Sequence, residues 1–338
     1  MLVALELALR LLPVSVGLYQ TERAWPLHSF QAHKPYTVST TWELRNPRHG
    51  RTNNYGHPAP FDYISGSRPV VVVGNSYIES LMNDYSDTLQ GNLGAMLGAA
   101  ERVYGIGVSG MTMSDYLAMA TQASAEFAPR AAVFLLVNAD IRDSLTDRPG
   151  HYYFRETTDG LKLTLHPRKM YPLLTRIRQS VGDLYLYRYV TQNLRFTLPK
   201  LVPLFREAKA REPAAPIEQG PAVQDAAVDR FLLDLPGRTG IEPRCIAFLL
   251  DGDRYSIYDP RLASPPADQP EARAHFIRKA SELGYRVADM QPLFREHYTR
   301  HRRHFDYYPI DAHWNGLAHR LAAERAYDLL FRQPGRSC

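Results

Sequence analysis

The chain has 338 residues, 45% of them hydrophobic and 22% charged, with a mean hydropathy of -0.34. That composition excludes a disordered tail, a collagen-like fibre and a polytopic membrane protein, and leaves room for two domains or for one α/β domain with a large insertion. Forty Lys and Arg against thirty-five Asp and Glu leave a net charge of +5, too small to imply a nucleic-acid partner, and the two cysteines, Cys245 and Cys338, exclude a disulfide scaffold and a multi-cysteine zinc site.

Residues 2 to 20, LVALELALRLLPVSVGLYQ, are apolar but broken by Glu6, Arg10 and Pro13, and fewer than about 18 clean apolar residues do not span a bilayer. They open directly on apolar residues with no basic run, unlike a signal peptide. The segment looks like the exit end of a longer membrane anchor. Equally, Leu2, Leu5, Leu9, Leu12 and Val16 have the spacing of an amphipathic helix packed on the domain. Residues 21 to 68 are polar and punctuated by Asn, Gly and Pro, notably in NPRHGRTNNYGHPAP, which predicts an irregular lead-in wrapping the domain surface.

PVVVVG at 69 to 74 is a β-branched run ending in glycine, the pattern of a parallel strand buried on both faces. A helix from about Ile78 to Leu97 is predicted next. A short strand near Arg102 to Tyr104, a glycine-rich turn, a helix from about Ser114 to Phe127 and the strand AAVFLLV at 131 to 137 follow. This alternation predicts a doubly wound parallel sheet. It breaks at 141 and resumes at 244 with the strand RCIAFLLDG, a helix at 270 to 283, the short strand RVADM and a last helix from Gly316 to Phe331. The basic insertion between, at about 141 to 243, holds twelve Lys and Arg against five acids in residues 151 to 212, interleaved with tyrosines, and a Pro/Ala-rich linker at 213 to 222. Such a lobe suits an anionic membrane surface or an acidic glycan, and equally a solvated basic face.

Four places can carry chemistry. Gly74-Asn75-Ser76 sits where the first buried strand meets a helix, so Ser76 faces the crevice at the carboxyl edge of the sheet, either as a nucleophile or as a helix cap. It is no α/β-hydrolase elbow, because G-x-S-x-G needs Gly where the chain has Ile78. Asp311-Ala312-His313 precedes the last helix; residues two apart on extended chain point the same way, so the carboxylate can orient the imidazole while its other nitrogen serves the serine. Gly105-Ile106-Gly107-Val108-Ser109-Gly110 formally matches G-x-G-x-x-G but follows the second strand, and the next strand ends near Asn138 and Asp140, about thirty rather than twenty residues on, so a tight turn presenting the Gly110 N–H to the crevice fits better than a dinucleotide site. In Val137-Asn138-Ala139-Asp140, the Asn138 amide can join the Ser76 and Gly110 N–H groups around an oxyanion, or form an Asx turn. His297, His301 and His304 have helical spacing, but Arg300, Arg302 and Arg303 between them repel a cation, so no metal is expected.

GNS after strand one, GVSG after strand two, an Asn-Asp pair after strand three and D-x-HWN before the last helix together resemble the blocks of the SGNH (GDSL) hydrolase superfamily. LELALRLLP, RTNNYGH and FLLDGDRYSIY are similar to segments of its membrane-anchored bacterial members, and the short D-x-H spacing to the alginate O-acetyltransferase type. The resemblance implies a flavodoxin-like three-layer α/β/α sandwich over residues 69 to 333, Ser76 as nucleophile, Asp311 and His313 completing a triad, and Ser76, Gly110 and Asn138 as the oxyanion hole. Two departures stand out. Asn75 replaces the usual Asp, and strict register in the third block puts Ala139 where the oxyanion Asn belongs and leaves Asn138 one position early. The expected function is a serine esterase acting without a cofactor on acyl, mainly acetyl, esters of carbohydrate in the bacterial cell envelope, in a periplasmic and membrane-associated setting. The alternatives are a polysaccharide O-acetyltransferase with the same triad and a catalytically weak glycan-binding module.

Overall fold

The computed structural model describes residues 1–18, 20–21, 29–98, 102–137, 139–168, 182–196, 220–262, 270–332 and 338. Helix α1 (Leu2–Leu9) opens the chain, followed by a two-residue pairing of β1 (Gln20–Thr21) with β2 (Ser29–Phe30) and an antiparallel hairpin of β3 (Pro35–Thr40) and β4 (Arg45–Arg51). The expected lead-in is therefore partly ordered as a hairpin. The α/β body then runs β5 (Val70–Gly74), α2 (Ser76–Glu79), α3 (Leu89–Leu97), β6 (Val103–Gly107), α4 (Met113–Phe127) and β7 (Ala131–Leu136). After α5 (Asp140–Asp143), a hairpin of β8 (Tyr152–Thr157) and β9 (Gly160–Leu165), and α6 (Tyr185–Arg188), it resumes with α7 (Pro221–Thr239) and β10 (Ile246–Leu250). It ends with α8 (Arg254–Tyr258), α9 (Pro270–Glu282), β11 (Arg286–Asp289), α10 (Met290–His301), a ribbon of β12 (Asp306–Tyr307) and β13 (Asp311–Trp314), and α11 (Gly316–Leu330).

Five strands form one parallel sheet in the order β11-β10-β7-β5-β6. Renumbered along the chain this is 2-1-3-4-5, the flavodoxin-like order, whose topological switch point lies between the first and third strands. Every residue of β5, β6, β7 and β10 is buried, as the unbroken apolar runs require of strands covered on both faces. Alternate residues serve opposite cores. Val71 and Val73 pack under α4, α7 and α9 with Phe231 and Phe276, while Val70 and Val72 pack under α3, α10 and α11 with Leu93, Phe294 and Trp314. The three-layer α/β/α sandwich is thus set by the period of two along each strand.

Two sequence expectations change. The helix placed at 78 to 97 is two helices, because Ser80 takes a left-handed conformation (φ 51°) that ends α2, and Thr88 caps α3 by accepting from Gly91 N at 3.1 Å. The last part of the basic insertion is α7, the crossover helix between β7 and β10, with Phe231, Leu232 and Leu235 fully buried in the core. Polar and charged residues on its outer face gave that stretch the look of an insertion. The insertion segments 169–181 and 197–219, which include Tyr171 and much of the linker, lie outside the described residues. Cys245 and Cys338 form a disulfide, with Cα atoms 5.4 Å apart, that ties the start of β10 to residue 338. Among the described residues, no helix is long and apolar enough to cross a membrane.

Candidate active site

Ser76 stands two residues past β5, at the carboxyl edge of the sheet and beside the switch point between β5 and β7. Asn75, not Ser76, caps α2: its side chain accepts from Tyr77 N at 3.1 Å. The capping role set against the nucleophile reading therefore falls on the neighbouring residue, and the Ser76 hydroxyl points elsewhere, to His313. The helix behind Ser76 is one turn long, so the dipole at the serine is that of α2 alone.

Asp311, Ala312 and His313 lie on the extended strand β13, which puts the two ionisable side chains on one side. His313 Nδ1 is 2.6 Å from Asp311 Oδ1, the same oxygen accepts the His313 backbone N–H at 2.9 Å, and His313 Nε2 is 2.8 Å from Ser76 Oγ. A carboxylate beside Nδ1 fixes the proton there and leaves the Nε2 lone pair to accept the serine O–H. Burial works against the Asp311 charge, but the hydrogen bonds and charge of His313 outweigh it and hold the carboxyl below its ordinary range. The half-buried imidazole packs against the Tyr77 ring, with centroids 4.9 Å apart.

Gly110 follows β6 as Ser76 follows β5, and the two strands are paired, Gly74 opposite Gly107. Gly110 has φ +84° with open space where a Cβ would stand, so glycine is there for its conformation rather than for room. Asn138 lies outside the described residues. Its neighbour Asp140 is buried and accepts from Tyr116 OH at 2.9 Å, Val137 N at 2.8 Å and Asn75 Nδ2 at 3.4 Å, so this acid ties the end of β7 to the serine turn. Asn75 thereby fits the site although it replaces an aspartate of the resembling blocks: an aspartate would set two carboxylates side by side, whereas the amide donates.

Sequence reasoning missed two groups. Arg254, just past β10, is buried and binds Asp251, Asp306 Oδ2 at 3.2 Å, Tyr77 OH at 3.0 Å and the Ala312 carbonyl at 2.6 Å. Asp251 also accepts from Trp314 Nε1 at 3.0 Å, so the cluster grips β13 on both sides of His313. The Asp251-x-x-Arg254 pair at a strand end was the available signal, but its partners are distant in sequence. The second is Glu79, 5% exposed, whose carboxylate accepts from Ser109 N at 2.9 Å and Ser109 Oγ at 2.8 Å. Burial pushes its pKa up to about 7, against the pull of the Ser109 hydrogen bonds and the His313 charge. A cavity of about 460 Å³ adjoins it, lined among others by Tyr36, Pro60, Glu79, Asn83 and Tyr85. Among the described residues, no group of acids, histidines or cysteines is placed to hold a metal ion.

No protein-family profile and no curated protein matches the sequence. Solved structures that match include an α/β-hydrolase enzyme, LAE5, from the metagenome of Lake Arreo, Spain, at 15% identity over 79% of this chain and 96% of that one, with a TM-score of 0.41. A member of the lipolytic G-D-S-L family from Veillonella parvula DSM 2008 is similar at 10% identity over 78% of this chain and 99% of its own, with a TM-score of 0.38. The acetyl xylan esterase AlAXEase is similar at 9% identity over 77% of this chain and 98% of its own, with a TM-score of 0.40.

Proposed function

We propose that the chain is a serine acyl-ester hydrolase, carried by the continuous hydrogen-bond chain from Asp311 through His313 to Ser76. His313 Nε2 takes the Ser76 hydroxyl proton as Oγ attacks the ester carbonyl, and the negative charge moves to the carbonyl oxygen, where the Ser76 and Gly110 backbone N–H groups donate to it. The imidazolium then gives its proton to the departing alkoxide. Water, deprotonated by the same nitrogen, attacks the acyl-serine, and collapse returns the proton to Oγ and releases the acid. No cofactor is required by these steps. The acyl group is acetyl and the alcohol a cell-envelope carbohydrate, a reading supported by the D-x-H spacing of Asp311 and His313. A polysaccharide O-acetyltransferase runs the same first half-reaction with a sugar hydroxyl replacing water. Incubating the chain with acetylated oligosaccharide, with and without an unacetylated acceptor, separates free acetate from transferred acetyl; fluorophosphonate that fails to label Ser76 overturns both in favour of a glycan-binding module.

For location, the supporting observation is an exposed apolar face. Leu2, Val3 and Leu7 on α1 stand in solvent, and α1 is joined through Glu6 to Tyr185 N and Leu186 N, in a segment whose Tyr189 OH also bonds the carbonyl of exposed Trp42. Arg10 and Arg188 flank it. Such a surface seats in an anionic membrane, and the Cys245–Cys338 bond suits an oxidising compartment such as the periplasm. Flotation with anionic and neutral vesicles at low and high salt tests this: salt-sensitive binding to anionic vesicles assigns the basic surface, salt-independent binding the leucines alone, and no binding removes the membrane role.

A further inference from the structure

Glu79 sits outside the hydrogen-bond chain of the triad, yet its carboxylate meets the turn that presents Gly110. The approach is very close. A Cβ on Gly107 would lie 2.2 Å from Glu79 N and 2.6 Å from the Ile78 carbonyl carbon, so only glycine at 107 lets the end of β6 press against α2 and bring Ser109 over the carboxylate. Ser109 then spends both its donors on Glu79, the backbone N–H on one oxygen and the hydroxyl on the other. With its amide and its side chain both fixed, Ser109 retains essentially one backbone torsion, the one that aims the Gly110 N–H. At Gly110 nothing lies within 4 Å of the Cβ position, so no packing holds it, and the turn closes beyond it through Met111 N to the Val108 carbonyl at 3.3 Å. The other end of the contact is braced as well: Gln90 Nε2 donates to the Ile78 carbonyl at 2.9 Å. The groups facing Glu79 or sharing its cavities are His313 on β13, Tyr36 on β3, His49 and Arg51 on β4, His57 in the lead-in and Tyr85 beyond α2.

We propose that Glu79 is a positioning residue for the oxyanion hole: through its paired hydrogen bonds to Ser109 it sets the direction of the Gly110 N–H toward the carbonyl oxygen of an ester bound at Ser76. The inference rests on the ester chemistry assigned to Ser76, and the buried carboxylate acts on the transition state without touching substrate. Preorganised donors count because their direction is settled before charge develops. A glutamine keeps one carbonyl oxygen for the Ser109 N–H and offers an amide to the Ser109 hydroxyl; an alanine keeps neither.

The experiment measures kcat and KM on a small acetyl ester for the full chain and for Glu79→Ala, Glu79→Gln and Ser109→Ala, with melting curves for each. Turnover by the wild type and its loss in Ser76→Ala report on the ester chemistry by themselves. The expected result is a fall in kcat of roughly tenfold to a hundredfold in Glu79→Ala with KM within about twofold, recovery of most of that loss in Glu79→Gln, and an intermediate fall in Ser109→Ala. Wild-type kcat in a folded Glu79→Ala, a loss confined to KM, or a Glu79→Gln as impaired as the alanine variant overturns the proposal. Should Glu79→Ala fail to fold, an unchanged kcat in Ser109→Ala overturns it as well.

Discussion

Ser76 is delivered by the sheet itself: β5 is hydrogen-bonded to β6 and β7 on its two sides, and the serine follows two residues after its last residue. His313 is delivered from outside the sheet, on a two-strand ribbon whose place against the body depends on buried charges around Arg254. One half of the site therefore rides on a strand of the sheet, while the other is held by Trp314 in the core and by long-range polar contacts around Arg254. A loss confined to the ribbon can take the His313 imidazole away from Ser76 and leave the sandwich standing.

The sharpest division between site and fold is expected at the ends of the hydrogen-bond chain. Ser76→Ala and His313→Ala should each lower turnover of a small acetyl ester at least a thousandfold, on the order of 4 kcal/mol of activation free energy, with unchanged melting temperatures. Arg254→Met should do the reverse in kind. It leaves Asp251 and Asp306 buried without their cation, at a cost of roughly 3 to 5 kcal/mol in chemical unfolding, and frees the ribbon so that activity falls too. If Arg254→Met unfolds at the wild-type denaturant concentration, the ribbon does not depend on this cluster.

The two halves should also answer pH with opposite signs. Glu79, on the serine side, has its folded pKa raised from 4.5 to about 7, so the folded state binds the proton more tightly; its contribution to stability is greatest below about pH 4.5 and is lost as pH rises through 7. Glu79→Gln removes that dependence, so the stability difference between variant and wild type should shift in the variant's favour by about 3 kcal/mol between pH 4.5 and pH 8. His319, on α11, is fully buried and lowered from 6.5 to about 3 by burial, with Nδ1 accepting from Leu89 N and Nε2 against Ser80 Oγ. Its contribution is present above about pH 6.5 and is lost as pH falls toward 3. Urea midpoints across this range read both; a Glu79→Gln difference that stays flat with pH contradicts the raised carboxyl. The smallest effect belongs to Tyr77→Phe, which removes a hydroxyl that accepts from Arg254 and donates to the Ala312 carbonyl at 3.1 Å. About 1 kcal/mol of stability should go with it, and a loss near that of Arg254→Met would show the cluster to be cooperative.

Local pattern made much of this legible. Unbroken apolar runs at 70 to 74, 131 to 136 and 246 to 250 could only be strands covered on both faces, and their alternation with helices implied the parallel sheet. The extended spacing of Asp311 and His313 put both on one side of a strand before any partner was known. Helix α7 escaped because its buried face is a narrow stripe in a polar stretch, and the break after α2 escaped because a single left-handed serine leaves no composition signal.

By itself, the sequence determined the strand cores, the parallel order of building and the residue types of the site, since periodicity and turn chemistry act over a few residues. Only the tertiary structure decided that Asn75 rather than Ser76 caps the helix, that Arg254 binds the Ala312 carbonyl on the strand bearing His313 from 58 residues away, and that Glu79 meets Ser109 across 30 residues of chain. The last two join a buried charged group to a partner far away in sequence. Burial without a partner is costly, so such groups must find one, but which one is fixed only when the packed layers bring them together.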